Sequence, residues 1–137
     1  MSKIRTITGA VLNDDDKLRQ KIMNITAEYC GGVFHFKKMI FYTLNELYQN
    51  NFLDMSDRQN ESPSMQEYFD LFSKYPDEPI SFDGYIVSPD RDDYRVTIDT
   101  IKGASNNMGF IRDLFQLCKD YDGIKRIRKG VQYVWYD

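Results

Sequence analysis

Apolar residues recur at three- and four-residue steps between Val33 and Tyr48 and predict a central helix over residues 33–49. The repeating positions are Val33, Phe36, Ile40, Leu44 and Leu47, with a second apolar line at Phe34, Phe41 and Tyr48. A helix that is apolar over most of its circumference has to be covered by other elements. We therefore expect the fold to be built around this helix.

An amphipathic helix of about four turns is predicted before it, beginning near Asp14, Asp15 and Asp16 and ending at Gly31-Gly32. Its inner face is predicted at Leu18, Ile22, Ile25 and Tyr29, and its solvent face at Lys17, Arg19, Gln20 and Lys21. Two helices joined by a glycine turn also resemble a helix-turn-helix arrangement. The second helix is too apolar to present basic side chains to DNA, so we do not favour that interpretation.

Two further helices are marked by their starts. Ser64-Met65-Gln66-Glu67 has the Ser-x-x-Glu form of a capping box, and the helix that it opens is predicted to end before Pro76. Ser105 or Asn106 is predicted to cap the last helix, which Asp122-Gly123 ends. The inner positions of that helix are predicted to be Met108, Ile111, Leu114, Phe115, Cys118 and Tyr121.

Alternating apolar residues predict a β-hairpin over residues 80–88 and 92–101, in which one face is apolar and the other is wet or faces a partner. In the expected register Phe82 lies opposite Ile98, Gly84 opposite Val96 and Ile86 opposite Tyr94. A first strand is predicted over residues 4–12. The tail from residue 124 to 136 is predicted to form a second hairpin bent at Lys129-Gly130.

Together these elements predict a single α+β domain over residues 1–137. We expect an antiparallel sheet of about four strands packed against three or four helices around the central helix. A chain of this length buries enough surface to fold without a metal or a disulfide.

Composition and the distribution of apolar residues refine this picture. The chain is 15% aromatic, which predicts an aromatic core or, alternatively, a surface that binds a partner. No apolar run reaches the ~18 residues of a membrane helix, and the first residues lack a hydrophobic signal core, so we expect a cytoplasmic protein that does not enter a membrane. Cys30 and Cys118 are expected to be reduced, buried thiols.

Charge is unevenly distributed along the chain. Residues 54–93 hold eleven acidic and three basic residues, a net charge of −8, whereas the whole chain has a net charge of −3. An acidic segment can be a solvated surface or a surface that attracts a basic partner. The favoured hypothesis is a non-catalytic protein-binding module, such as an inhibitor or immunity-type protein, that docks a basic partner. The residues predicted to contact that partner are Asp83, Tyr85, Asp90, Asp92 and Asp93.

The alternative hypothesis places RNA or single-stranded DNA on the basic and aromatic tail. Cations there can meet phosphates while an aromatic ring stacks on an unpaired base. The residues predicted to do so are Lys125, Arg126, Arg128, Lys129 and Trp135. A basic edge on a terminal strand also discourages aggregation, and the acidic overall pI of about 5.2 opposes a broad phosphate-binding surface.

Catalytic patterns are sparse. The single histidine, His35, lies close in sequence to Cys30, so a Cys-His nucleophile pair is conceivable, although a packed histidine is the simpler interpretation. The run Asp14-Asp15-Asp16 favours helix capping over metal binding, and residues 90–93 lack the glycine and glutamate of an EF-hand loop. No common nucleotide-binding or hydrolase motif is present. We therefore expect no enzyme activity, no cofactor and no metal.

Overall fold

The structure of the chain is a computed structural model that describes residues 3–5 and 11–136. Within these residues the elements are β1 (Lys3–Arg5), β2 (Val11–Asn13), α1 (Asp16–Met23), β3 (Val33–Met39), α2 (Phe41–Gln49), α3 (Met65–Lys74), β4 (Ile80–Val87), β5 (Val96–Gly103), α4 (Met108–Cys118), β6 (Ile124–Arg128) and β7 (Val131–Trp135). Strands β1 and β2 pair with each other, and the others form an antiparallel sheet in the order β3-β4-β5-β7-β6. The predicted α+β class is confirmed, with five strands in the main sheet rather than four.

The predicted helix over residues 33–49 is wrong in its first half, because Val33–Met39 is strand β3. Phe36 turns into the core while His35 is exposed, an alternation that pairing with β4 makes possible. Lys38 adopts a left-handed conformation (φ 60°) at a bulge that ends the strand. The spacing of these apolar residues fits a helix or a strand equally well, and pairing with β4, more than forty residues away, decides between them.

The predicted hairpin is confirmed, but its register is different. Gly84 lies opposite Ile98 and Ile86 opposite Val96, and a bulge beside Asp83 and Gly84 places Phe82 opposite Ile101. The connecting loop is longer than the predicted turn, and it is hydrogen-bonded to residues outside the hairpin. The Ser88 N–H donates to the carbonyl of Gly32 at 2.7 Å, and the Tyr94 hydroxyl donates to the carbonyl of Asn13 at 2.7 Å.

Helices α2, α3 and α4 cover one face of the main sheet. Each contributes fully buried side chains to a core that also contains the inward-facing residues of the strands. The principal members are Phe36, Leu44, Leu47, Tyr68, Phe72, Phe82, Ile86, Val96, Ile98, Ile101, Phe110, Leu114 and Val134. The aromatic-rich core predicted from composition is thus present, with the Phe72 and Phe82 ring centroids 4.6 Å apart.

The predicted helix starts are largely confirmed. Ser64 and Glu67 form the expected capping box at the start of α3. Helix α4 is capped by Asn107, whose side chain accepts from the Phe110 N–H, rather than by Ser105 or Asn106. Asp15 caps α1 by accepting from the Leu18 N–H. A capping side chain satisfies an amide that has no partner within the helix, which is why these starts are visible in sequence.

Helix α1 is shorter than predicted and its polar face is not fully solvated. It ends at Met23, and Asn24 leaves the helix in a left-handed conformation (φ 56°). Arg19, predicted on the solvent face, is 0% exposed. Its guanidinium donates to Asp16 at 2.9 Å and to the Val87 carbonyl at 2.8 Å, and it lies 4.4 Å from the centre of the Tyr94 ring. A buried charge is tolerated when it is paired and hydrogen-bonded, and helical periodicity alone does not identify such partners.

The N-terminal strand predicted over residues 4–12 is only partly described. Strands β1 and β2 occupy its two ends, and residues 6–10 lie outside the described residues.

In the described part of the chain, every helix is too short or too polar to cross a bilayer.

The central β4–β5 ladder predicts that Gly84→Ala destabilises the protein. A Cβ atom at residue 84 would lie 1.9 Å from the Thr97 carbonyl oxygen and 2.8 Å from Phe36 Cζ, so the strands would have to move apart. We expect a loss of about 1–3 kcal/mol in the free energy of unfolding, measured by urea denaturation.

Gly109→Ala in α4 is the matched control. Its Cβ would come no closer than 3.3 Å to side-chain atoms of Asn107 and Tyr75, and alanine favours helix, so we expect a change within about 1 kcal/mol. Equal effects of the two substitutions would contradict the steric argument.

Candidate functional site

The face of the main sheet that points away from the helices carries a continuous set of polar and aromatic side chains. Residues directly opposite one another on paired strands point to the same face. Asp83 pairs with Thr100, which pairs with Trp135, and Lys102 pairs with Tyr133, which pairs with Arg126. We call this sheet face the open face; its members are His35, Asp83, Tyr85, Thr97, Asp99, Thr100, Lys102, Ile124, Arg126, Arg128, Val131, Tyr133 and Trp135. Asp83, Thr97, Asp99 and Thr100 are buried, and the Thr97 hydroxyl donates to Gln59 Oε1 in the loop before α3.

The bulge in the β4–β5 pair places Thr100 on the open face beside Asp99. Asp99 and Thr100 together oppose Asp83. The Thr100 hydroxyl donates to Asp99 Oδ1 at 2.9 Å, and His35 Nε2 lies 3.6 Å from Asp99 Oδ2. The Asp99 carboxylate is thus held between two neighbouring side chains at the centre of the sheet. The alternation of Arg95, Thr97 and Asp99 along the strand predicts Asp99 on this face, although Asp99 is not among the predicted partner-binding residues.

Asp83 is buried in the same row, with only 4% of its surface exposed. Lys102 Nζ lies 2.9 Å from Asp83 Oδ2, and the Lys38 N–H donates to Asp83 Oδ1 at 3.1 Å. The hydrogen bond from Lys102 to Asp83 raises the pKa of the lysine. Asp83, a predicted partner-binding residue, therefore orders Lys102 on the open face rather than presenting a free carboxylate.

Aromatic side chains lie on both sides of this polar centre. The rings of His35 and Tyr85 are 4.7 Å apart on strands β3 and β4. Tyr133 and Trp135 are on β7, across β5 from Tyr85, and all three residues are partly exposed. The open face therefore combines a preformed ionic centre with aromatic surface that solvent still reaches.

The β4–β5 loop extends beyond one end of the sheet and carries the three other predicted partner-binding residues. Asp90 and Asp92 are exposed. Burial opposes ionisation of Asp93, but hydrogen bonds from Arg91 and Arg95 outweigh it and lower the pKa of this carboxyl. Asp93 lies 2.7 Å from Arg91 and 2.8 Å from Arg95, so it shapes the loop, while Asp90 and Asp92 supply its exposed negative charge.

The acidic segment over residues 54–93 is not gathered on one surface. Asp54 is buried, Glu67 accepts from the Tyr121 hydroxyl, Asp77 accepts from Tyr42, and Glu78 accepts from Ser105. Several acids of the segment thus make contacts that hold loops and helices together. The net charge of −8 therefore overstates the charge available to a partner.

The five residues of the nucleic-acid alternative are also divided. Arg126, Arg128 and Trp135 share the open face, whereas Lys125 pairs with the buried Val134 and points to the helix side. The Lys125 ammonium donates to the Tyr121 carbonyl. Lys129 lies in the turn between β6 and β7. These cations surround strand β6 and do not form a single stripe.

The thiols and carboxylates considered for catalysis or metal binding do not converge. His35 contacts Tyr85 and Asp99, and among the described residues its ring forms no hydrogen bond or ion pair with Cys30. Cys30 is exposed rather than buried as predicted, because α1 ends before it and it lies in the loop leading to β3. Over residues 11–136, no three His, Cys, Asp or Glu side chains are grouped to hold a metal ion.

The chain matches no protein-family model, no curated protein and no solved structure. Within the described part of the chain, the open face is where aromatic side chains, arginines and buried carboxylates lie together on adjacent strands.

The two cysteines should differ sharply in reactivity. Burial raises the pKa of the Cys118 thiol to about 11, whereas Cys30 is exposed. We expect one thiol per chain to react with Ellman's reagent in the native protein at pH 8 and two after denaturation. Cys30→Ser should remove the native reaction; rapid native reaction of two thiols would contradict the buried position of Cys118.

Proposed function

We propose that this protein is a non-catalytic protein-binding module that docks its partner on the open face. The observation that carries the proposal is the arrangement of Tyr85, Tyr133 and Trp135 around the ionic centre formed by Asp83, Asp99 and Lys102. Tyrosine, tryptophan and arginine are the side chains most enriched among residues that dominate binding energy at protein interfaces. Arg126 and Arg128 add the third type at the margin of the same face.

The polar centre suits an interface because its members are already held in place. Lys102 is fixed by Asp83, and Asp99 is fixed by Thr100. A partner would therefore not have to order these groups as it binds, which lowers the entropic cost of association. Buried carboxylates that keep their own hydrogen bonds also avoid the penalty of a charge left without a partner.

The exposed acids of the β4–β5 loop favour a partner with basic side chains. Asp90 and Asp92 lie at one end of the sheet, where they can attract a positive surface before contact. An inhibitor or immunity-type protein that blocks a basic enzyme would use charge in this way. The free thiols of Cys30 and Cys118 are consistent with a reducing, cytoplasmic setting.

Binding of RNA or single-stranded DNA is the second candidate. It is favoured by one observation: Arg126 and Arg128 share a sheet face with Tyr133 and Trp135. An aromatic sheet face with cations at its margin can stack bases and contact phosphates. Lys125 does not lie on this face, which weakens the case for nucleic-acid binding. We therefore prefer protein binding.

The open face predicts that Tyr85→Ala combined with Trp135→Ala abolishes partner capture. Wild type and variant would be immobilised and exposed to lysate of the source cell, and bound material would be identified by mass spectrometry and ultraviolet absorbance. We expect a stoichiometric protein on the wild type that the variant loses, because the two substitutions remove two of the three partly exposed aromatic rings of the face.

Tyr42→Ala combined with Tyr48→Ala is the matched control. These rings are 55% and 48% exposed on α2, on the opposite side of the sheet, so capture should persist. Circular dichroism would show that all variants fold. Identical captured proteins on wild type and open-face variant would contradict the proposal, and co-eluting nucleic acid without a protein would favour the second candidate.

The acidic loop should act on the rate of association. Once a partner has been captured, Asp90→Lys combined with Asp92→Lys should slow its association at low salt. The two substitutions should have little effect at high salt, because screening removes the long-range attraction. Surface plasmon resonance at two salt concentrations measures this rate. An association rate that does not change at low salt would exclude the loop from the binding surface.

A further inference from the structure

Strand β6 is an edge of the main sheet. Among the described strands it pairs with β7 alone, so one side of its backbone has no neighbouring strand. The pairing with β7 is regular over all five residues, from Ile124 opposite Trp135 to Arg128 opposite Val131. The other edge, β3, is interrupted by a bulge and by the left-handed Lys38, features that hinder addition of another strand. Strand β6 has no such interruption.

A cavity lies directly beside this edge on the helix side. Its volume is about 350 Å³, and it is lined by Phe115, Lys119, Lys125 and Ile127. Phe115 is 50% exposed although it is an aromatic residue of α4. The cavity thus offers an apolar surface that is bordered by the ammonium groups of Lys119 and Lys125 and lies next to the edge strand.

Cations are present on both faces of β6. Arg126 and Arg128 point to the open face, while Lys125 and Ile127 point to the cavity. A single nucleic-acid strand lying on the open face would meet Arg126 and Arg128 but would not reach the cavity on the other side of β6. An added β-strand presents alternate side chains to both faces of the sheet and would reach both.

A second copy of this chain is a poor occupant. An antiparallel pairing of two β6 edges would bring Arg126 and Arg128 of one copy onto the same sheet face as Arg126 and Arg128 of the other, and like charges on adjacent strands repel. The complementary ligand is an extended segment with acidic side chains.

We propose that β6 is a docking strand for an extended acidic segment of a partner protein. The segment pairs with the free backbone of β6, directs carboxylates to Arg126 and Arg128, and inserts an apolar side chain into the cavity beside Phe115 and Ile127. This contact shares Arg126 and Arg128 with the margin of the open face but does not use its aromatic centre, and it does not depend on the proposed function.

The proposal can be tested with a blocked seven-residue peptide in which glutamate and leucine alternate. The pattern places carboxylates on one face of the added strand and leucines on the other. Binding would be followed by amide NMR shifts of residues 124–128 and by fluorescence of Trp135, the one tryptophan of the chain. We expect both signals to change in a saturable manner, with the largest amide shifts along β6.

Two double variants separate this contact from general charge attraction. Arg126→Glu with Arg128→Glu should weaken peptide binding by about tenfold or more, because two attractions become repulsions. Lys17→Glu with Lys21→Glu makes the same change of net charge on the exposed side of α1 and should leave binding within about twofold. Tyr85→Ala should also leave it unchanged, which distinguishes this site from the aromatic centre of the open face.

A peptide with every amide N-methylated keeps its charges but cannot donate backbone hydrogen bonds, and it should not bind. Equal binding of this peptide would overturn strand pairing. The proposal would also be overturned if the alternating peptide left residues 124–128 unshifted while an oligothymidine bound there. A free protein that dimerises through β6 would overturn it in favour of a second copy.

Discussion

The structure depends on the burial of one face of the β4–β5 ladder. Phe82, Ile86 and Ile98 are fully buried there beneath α2, α3 and α4, and Gly84 lets Phe36 and the backbone of β5 approach closely. Apolar burial is the main favourable term in folding, and here it is supplied on one side of the sheet. The opposite side is consequently free to carry polar and aromatic groups, and both the open face and the exposed edge β6 follow from this asymmetry.

The bulge in this ladder has a chemical consequence. It adds one residue to β5, so Asp99 and Thr100 both oppose Asp83. Two carboxylates are thereby held side by side, one neutralised by Lys102 and the other placed near His35. A regular ladder would have turned Asp99 or its neighbour away. Bulges are commonly found where a sheet presents side chains for function.

Local signals predicted the elements whose causes are local. The capping box of Ser64 and Glu67 marks α3, and the glycine turn at Gly130 marks the β6–β7 hairpin. Long-range contacts decided the rest. Residues 33–39 form a strand because β4 is available to pair with them, and Arg19 is buried because Val87 and Tyr94 surround it. Sequence patterns assigned Asp83 and Tyr85 to a protein-binding site and Arg126 and Trp135 to a separate nucleic-acid site. The strand register places all four residues on one face of the sheet.

By itself the sequence determined the α+β class, the positions of α3 and α4, and the residue types available for binding. Apolar periodicity, capping and turn chemistry act over a few residues and can be read along the chain. Tertiary structure alone decided the strand at residues 33–39, the bulge at Asp99 and the division of the acidic segment into paired and exposed carboxylates. Those features depend on which distant strand or cation lies nearby, and no short stretch of sequence contains that information.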